Sequence, residues 1–322
     1  MIDFKEFTLE NGLRVIVHED LSTPMAVLNV LYDVGSKDEA EIQTGFAHLF
    51  EHLMFSGSVH IPSYDEPLQK VGGENNAFTS PDITNYYLSV PAQNIETGFW
   101  LESDRMLGLA FDENGLEVQR KVVIEEFKQN YLNQPYGDVW LKLRPLAYDV
   151  HPYKWPTIGK EIAHIADARM EDVRHFFHRH YSPSNAILVV AGQVTFDQAK
   201  ALTEKWFGPI PAGNKYIRNL PQEPTRNAAK VLEHRAGLLL DVGYGYGLYL
   251  CCLQVYQVGV AQQFAVSQVH GPVEQLDLRE DNRGLGLVLH LGELFLPDGL
   301  VHQFLVDGFY GRIGLPGVDA FV

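Results

Sequence analysis

Cysteine is nearly absent: two occur in 322 residues, and they are neighbours, Cys251 and Cys252. Adjacent cysteines are unsuited to a structural disulfide and give no indication of redox compartment. They also lack the spacing of a cysteine-type zinc site, so histidine and carboxylate are the available metal ligands. Basic residues are few, with 25 Lys and Arg against 41 Asp and Glu for a net charge of -16. That deficit argues against a nucleic acid or an anionic membrane as partner, while leaving basic peptides open. No run of eighteen apolar residues occurs in the first 230 positions, so no membrane span is expected. The first residues, Met1-Ile2-Asp3-Phe4-Lys5, lack the basic and apolar regions of a signal peptide. As written the chain reads as cytoplasmic, with periplasmic and organellar placement left open.

What is present is the pentad His48-Leu49-Phe50-Glu51-His52, set between Gly45 and Gly57. On a helix, residues at i, i+3 and i+4 share a face, so His48, Glu51 and His52 project together. At about 100° per residue, Phe46, Leu49, Phe50 and Leu53 fall on the opposite side. The expected helix is buried in apolar surroundings with its polar groups confined to one wedge. Three ionisable groups in one wedge need a compensating partner, and a divalent metal suits two neutral imidazoles. The plain alternative is a pair of core histidines bonded to backbone carbonyls, with Glu51 reaching solvent.

A third ligand follows from helical phase in the segment Glu113 to Tyr131. Glu117, Lys121 and Glu125 recur every four residues as a charged stripe of the kind that lies in water. Val118, Val122 and Glu126 recur at the same interval one position on, flanked by Val123 and Phe127. Glu126 is therefore expected to point at the core, where it needs a cation such as a zinc held by His48 and His52. Alternatively it is a lone buried carboxylate, raised in pKa or snorkelling out to solvent. Two imidazoles, one carboxylate and an open fourth position make the ligand set of a hydrolytic zinc site. Glu51, beside the histidines, is the natural general base.

The rest of the chain reads as α+β, a mixed β-sheet with helices packed on it. Asn11-Gly12 between apolar runs predicts a hairpin, and Ala26 to Val34 a third strand. A short helix at 63–71 ends at Gly72-Gly73, and extended chain follows at Asn76–Ser80 and Thr84–Val90. Helices are expected at about 93–107, 113–131, 138–148, 170–180 and 196–206, with a buried strand at Ala186–Ala191. Pro209 to Pro224 reads as a linker. His175 and His178 share a helix face but lack a third ligand, and His151 before Pro152 reads as a loop feature.

These residues resemble the pitrilysin/insulinase metallopeptidases, a family of inverted zincins that includes mitochondrial processing peptidases and bacterial zinc proteases. The resemblance rests on His48-x-x-Glu51-His52 with Glu126 74 positions beyond His52. It extends through Leu9–Val15, Gly72–Thr79, Thr84–Tyr87, Val122–Glu126, His151–Tyr153 and Tyr181–Ala186, and covers about residues 4–230. It implies a zinc-dependent peptidase in which His48, His52 and Glu126 are ligands and Glu51 the base. The acidic residue that usually stands seven positions before the last ligand is Gln119 here, whose amide can still orient a neighbouring ligand. The resemblance also implies that an extended peptide, or a small protein, binds along a sheet edge formed by Asn76, Ala77, Phe78 and Thr79.

Two domains are expected, a metallopeptidase-like one over 1–232 and a different segment over 233–322. Residues 233–322 contain no lysine and 14 of the 28 glycines, so they are expected to be irregular and possess neither clear periodicity. Gly243-Tyr244-Gly245-Tyr246-Gly247 lacks the spacing and lysine of a phosphate loop. Active members of the family carry a second, similar domain whose Arg and Tyr clasp the substrate. The tail is too short for it and reads as aberrant or truncated. The chain is therefore expected to be a zinc endopeptidase or oligopeptidase, or alternatively a catalytically incomplete or silent zinc-binding scaffold completed by a homodimer mate or partner subunit.

Overall fold

The computed structural model describes residues 2–134, 136–213, 216–226 and 228–232 with side chains, and the backbone alone of 233–242, 246–258, 275–281, 284–290, 312–315 and 318–321. The chain divides into two units, Met1–Leu232 with Gln257–Val260, and Glu233–Tyr256 with Ala261–Val322.

The first unit is built on a six-stranded mixed sheet. Its strands are β1 (Lys5–Thr8), β2 (Arg14–Glu19), β3 (Met25–Tyr32), β4 (Glu74–Thr79), β5 (Thr84–Pro91) and β6 (Ala186–Gly192). They lie in the order β1-β2-β6-β3-β5-β4. The β2–β6 pair is parallel, with Val15 opposite Leu188, and the other neighbours are antiparallel. The first hairpin turns at Asn11-Gly12, where Gly12 has φ +88°, a conformation that glycine adopts without steric cost. Asn11 also donates its side-chain amide to the carbonyls of Phe207 and Ile210, tying the turn to the far end of the unit.

Alternation places one face of the sheet in the core. Ala26, Leu28, Val30 and Tyr32 of β3 are buried, as are Tyr86, Leu88 and Val90 of β5, whereas the intervening Val27, Asn29 and Leu31 are half-buried. On that opposite face Asn29 and Asn85 exchange side-chain hydrogen bonds of 2.8 Å. The helices are α1 (Phe46–Leu53), α2 (Asp65–Lys70), α3 (Ile95–Leu107), α4 (Glu113–Phe127), α5 (Val139–Ala147), α6 (Ile162–Ala166), α7 (Met170–His180) and α8 (Phe196–Trp206). Helix α3 packs on β3, β5 and α8, and α8 on β2. At the other end of the same face Phe50 of α1 stacks on Tyr181, which in turn meets Tyr32. A π-helical turn, Lys128–Leu132, continues α4.

Beneath the end of α1 lies a buried ion pair, Glu102 with Arg105 at 2.6 Å. Its guanidinium is held between the rings of Tyr64 and Tyr86, 4.5 and 4.4 Å from their centroids. A paired, stacked arginine is a form in which the interior tolerates that charge. Tyr86 then donates its hydroxyl to the carbonyl of Phe50, so the floor of α1 is fixed from the sheet.

Six further strands follow along the chain, their residues from 233 on described by backbone: β7 (Lys230–Val242), β8 (Tyr246–Val258), β9 (Gln275–Asp281), β10 (Gly284–His290), β11 (Arg312–Leu315) and β12 (Val318–Phe321). They form three two-stranded ribbons, β7 with β8, β9 with β10 and β11 with β12. The segment expected to be irregular thus contains these strands. Gly243-Tyr244-Gly245 and the remainder of that segment, on which the aberrant or truncated reading falls, lie outside the described residues. Among the described residues no helix is long and apolar enough to cross a membrane.

Candidate metal centre

Helix α1 is short and strongly amphipathic. Phe46, Ala47, Leu49, Phe50 and Leu53 are buried, which leaves His48, Glu51 and His52 on the remaining face. The chain enters through Gly45, whose φ is +87°. A Cβ there would stand 2.7 Å from the carbonyl oxygen of Ile158, so the close approach of the 156–160 loop and the backbone conformation both require glycine.

Helix α4 packs against α1 and delivers Glu126. The facing ring nitrogens of His48 and His52 are 3.3 Å apart. Glu126 Oε2 lies 3.6 Å from His48 Nε2 and 3.5 Å from His52 Nε2. A tetrahedral ion with metal–ligand bonds of about 2.0–2.1 Å sets its ligand atoms roughly 3.3–3.4 Å apart. The triangle therefore has the size of one face of a zinc coordination tetrahedron. Among the described residues it is the only such grouping of three histidine, cysteine or carboxylate side chains.

The electrostatics suit a cation. Burial, helped by the neighbouring His52, pushes His48 down to about 4, against the pull of Glu126. A neutral imidazole is the form that ligates metal. The hydrogen bond from His52, followed by the charge interactions with His48 and His52, holds the Glu126 carboxyl below the usual range, against burial. Glu51 goes the other way, because burial raises it more than the Thr79 hydroxyl and His52 lower it. A carboxylate so raised is a better proton acceptor near neutral pH. Thr79 Oγ1 donates to Glu51 Oε2 at 2.5 Å, so the last residue of β4 orients that group.

Strand β4 is the edge of the sheet and packs beside α1. Asn76 and Phe78 point to solvent while Ala77 and Thr79 are half-buried. Asn76 Oδ1 accepts the N–H of Ala77 at 2.8 Å. Gln119 is half-buried on α4, two turns before Glu126.

Glu126 does not point into the core as its helical phase predicts. Val118 and Val122 are 55% and 45% exposed, and the buried residues of α4 are Leu116, Val123 and Phe127. The apolar stripe that carries Glu126 borders α1 and an open face, and the Glu126 side chain is 33% exposed. Glu125, by contrast, is 69% exposed and paired with Lys128, and Glu117 bridges to Lys121. His151 caps the turn Pro152–Lys154 through its ring nitrogen, and His178 packs on Phe111 and Phe177.

Glu39 carries no functional signal in the sequence. Its carboxylate accepts the N–H groups of Gly45 and Ala47 at 2.9 and 2.8 Å, at the start of α1. In sequence it sits in the polar run Ser36-Lys37-Asp38-Glu39, which reads as surface. The available signal was the helix itself, which begins at a glycine and has no side-chain cap of its own.

The chain is similar to known families and proteins. The family described as Insulinase (Peptidase family M16) matches residues 14–158, and the one described as Peptidase M16 inactive domain matches 167–239. The chain is 32% identical over 246 residues to zinc protease PqqE of Helicobacter pylori, a span of 74% of this chain and 55% of that protein. It is 30% identical over 213 residues to the uncharacterized zinc protease YmxG of Bacillus subtilis, 66% of this chain and 51% of that one. Among solved structures, a protease from Helicobacter pylori superposes with a TM-score of 0.65 at 31% identity, covering 70% of this chain and 55% of the other. The chain spans about half the length of the curated relatives it matches. It belongs to the insulinase, or pitrilysin, family of peptidases, whose cofactor is zinc.

Proposed function

We propose that this chain is the metal-bearing part of a zinc peptidase that hydrolyses extended peptides, with His48, His52 and Glu126 as ligands and Glu51 as general base. The observation that carries the reading is the triangle of donor atoms with edges of 3.3, 3.5 and 3.6 Å. A zinc ion held there would supply Lewis acidity, making a nearby water more acidic and polarising the scissile carbonyl. The chain's own residues do the rest. Glu51, oriented by Thr79, takes a proton from the attacking water and returns it to the leaving amine. The outer edge of β4, Asn76 to Thr79, offers an open strand edge to an extended peptide, and exposed Phe78 supplies an apolar contact. Gln119, two turns along α4 from Glu126, is assigned the positioning role suggested by its register.

A second reading is favoured by one observation, the coverage of about half of each relative. Under it the chain binds zinc and hydrolyses peptides only when another domain, a partner subunit or a second copy supplies the rest of the substrate site. One experiment separates the two. The purified chain is stripped with a chelator, reloaded with zinc and assayed on a quenched library of extended peptides. Cleavage lost on stripping and regained with zinc supports the first reading. Zinc uptake without cleavage supports the second, and failure to take up zinc contradicts both.

A further inference from the structure

We propose that Glu39 is a positioning residue for the metal centre, its buried carboxylate serving as the cap of the ligand-bearing helix from outside that helix. The inference rests on the reading of His48, His52 and Glu126 as metal ligands. Helix α1 has eight residues, about two turns, and carries two of those ligands and the base. In so short a helix the first turn has little internal support, because its leading N–H groups have no partners within the helix. The ordinary remedy is a Ser, Thr, Asp or Asn at the position before the helix. That position is Gly45, where crowding by Ile158 and a left-handed backbone keep out any side chain.

Glu39 provides the missing acceptor. One carboxylate oxygen accepts the N–H of Gly45 at 2.9 Å and the indole N–H of Trp155 at 3.1 Å, and the other accepts the N–H of Ala47 at 2.8 Å. Three donors converge on one group, and a carboxylate is the side chain that meets them with acceptors alone. Burial pushes the Glu39 carboxyl up to about 8, against the pull of the Ala47 and Gly45 N–H groups and the Trp155 indole, and in its ionised form its charge complements the positive end of the helix. Ala47 immediately precedes His48, so the bond to its N–H fixes the turn that aims the first ligand.

The cap is itself held on both sides. The Trp155 indole also donates to the Ser36 carbonyl at 2.9 Å. Asp38, next to Glu39, receives Arg218 Nε at 2.6 Å and the N–H of Gly35 at 3.1 Å. Glu39 therefore reaches α1 from a loop whose position is set by Trp155 and Arg218, and not by α1.

The test uses the full chain with Glu39→Gln, Trp155→Phe and, as a control, Asp104→Asn. Asp104 is a buried carboxylate bonded to Ser58 and His60, away from the start of α1. Zinc affinity is read by competition with a chromophoric chelator, ligand geometry by the visible absorption of the cobalt(II)-loaded protein, and folding by thermal melting. Glu39→Gln turns an amide N–H toward one of three donors, so its zinc Kd is expected to rise about 10- to 100-fold, as for other residues that orient metal ligands. Its cobalt spectrum should change. Asp104→Asn should melt earlier while keeping wild-type affinity and spectrum. Trp155→Phe, which removes one donor and keeps the cap, should weaken zinc roughly fivefold, the worth of one hydrogen bond, and decides the matter should Glu39→Gln not fold. Wild-type zinc affinity and cobalt spectrum in folded Glu39→Gln, or in Trp155→Phe if the first is unfolded, would overturn the proposal while leaving the zinc site standing. A wild-type chain that takes up neither metal would overturn the ligand reading beneath it.

Discussion

Replacing Glu51 by Gln is expected to leave zinc bound and to lower peptide turnover by about 10²- to 10⁴-fold, the usual worth of a positioned general base. The substitution is nearly isosteric, and the amide oxygen can still accept the Thr79 hydroxyl that now bonds the carboxylate at 2.5 Å. What is lost is the capacity to take a proton. Glu51 stands outside the group of three donors that fits a metal, so metal content should not fall. The interaction is made only as the proton moves, so kcat and kcat/KM should fall together. Zinc analysis alongside steady-state kinetics on a quenched peptide, with whatever partner proves necessary, checks both halves. Near-wild-type turnover in metal-loaded protein would remove Glu51 from its role.

The second large effect separates two adjacent carboxylates. Glu126→Gln is expected to weaken zinc binding by more than the roughly 100-fold that marks loss of a residue merely orienting a ligand. Glu125→Gln should leave binding unchanged. One residue apart on α4, the two point about 100° away from each other. Glu126 lies within 3.6 Å of both histidines, whereas Glu125 is exposed and paired with Lys128. An exposed ion pair of that kind contributes at most about 1 kcal/mol to stability, so its loss should not disturb the fold of α4. Equal losses of zinc affinity at both positions would show that general negative charge, and not coordination by Glu126, sets the affinity.

Helical periodicity made much of this site legible. The phase of His48, Glu51 and His52 against Phe46, Leu49, Phe50 and Leu53 is reproduced in α1, because a helix with so unequal two faces can dock in only one orientation. The same phase sets Glu126 apart from Glu125, but it does not mark the buried side of α4. A period tells which residues share a face and is silent about what lies opposite. Val118 and Val122 share that face with Glu126 and remain substantially exposed, while the buried side of α4 runs through Leu116, Val123 and Phe127.

Non-local features were less legible. The Asn11-Gly12 turn announces the first hairpin, yet nothing local indicates that β6 will insert between β2 and β3 and pair in parallel with β2. Helix α6, five residues long, is too short to leave a periodic signature. Glu39 is invisible for a related reason. Its importance comes from two N–H groups six and eight residues later and from the indole of Trp155, 116 residues away. In sequence it is one more acid in a chain with 41.

The most direct measurement of the central assignment is zinc-edge X-ray absorption on the purified chain together with its zinc content. One zinc per chain is expected, with a first shell at about 2.0–2.1 Å composed of two imidazoles and oxygen donors, the oxygens coming from Glu126 and water. Absence of zinc from a folded, zinc-supplied chain, or a closed shell of four protein nitrogen and sulfur ligands, would contradict it.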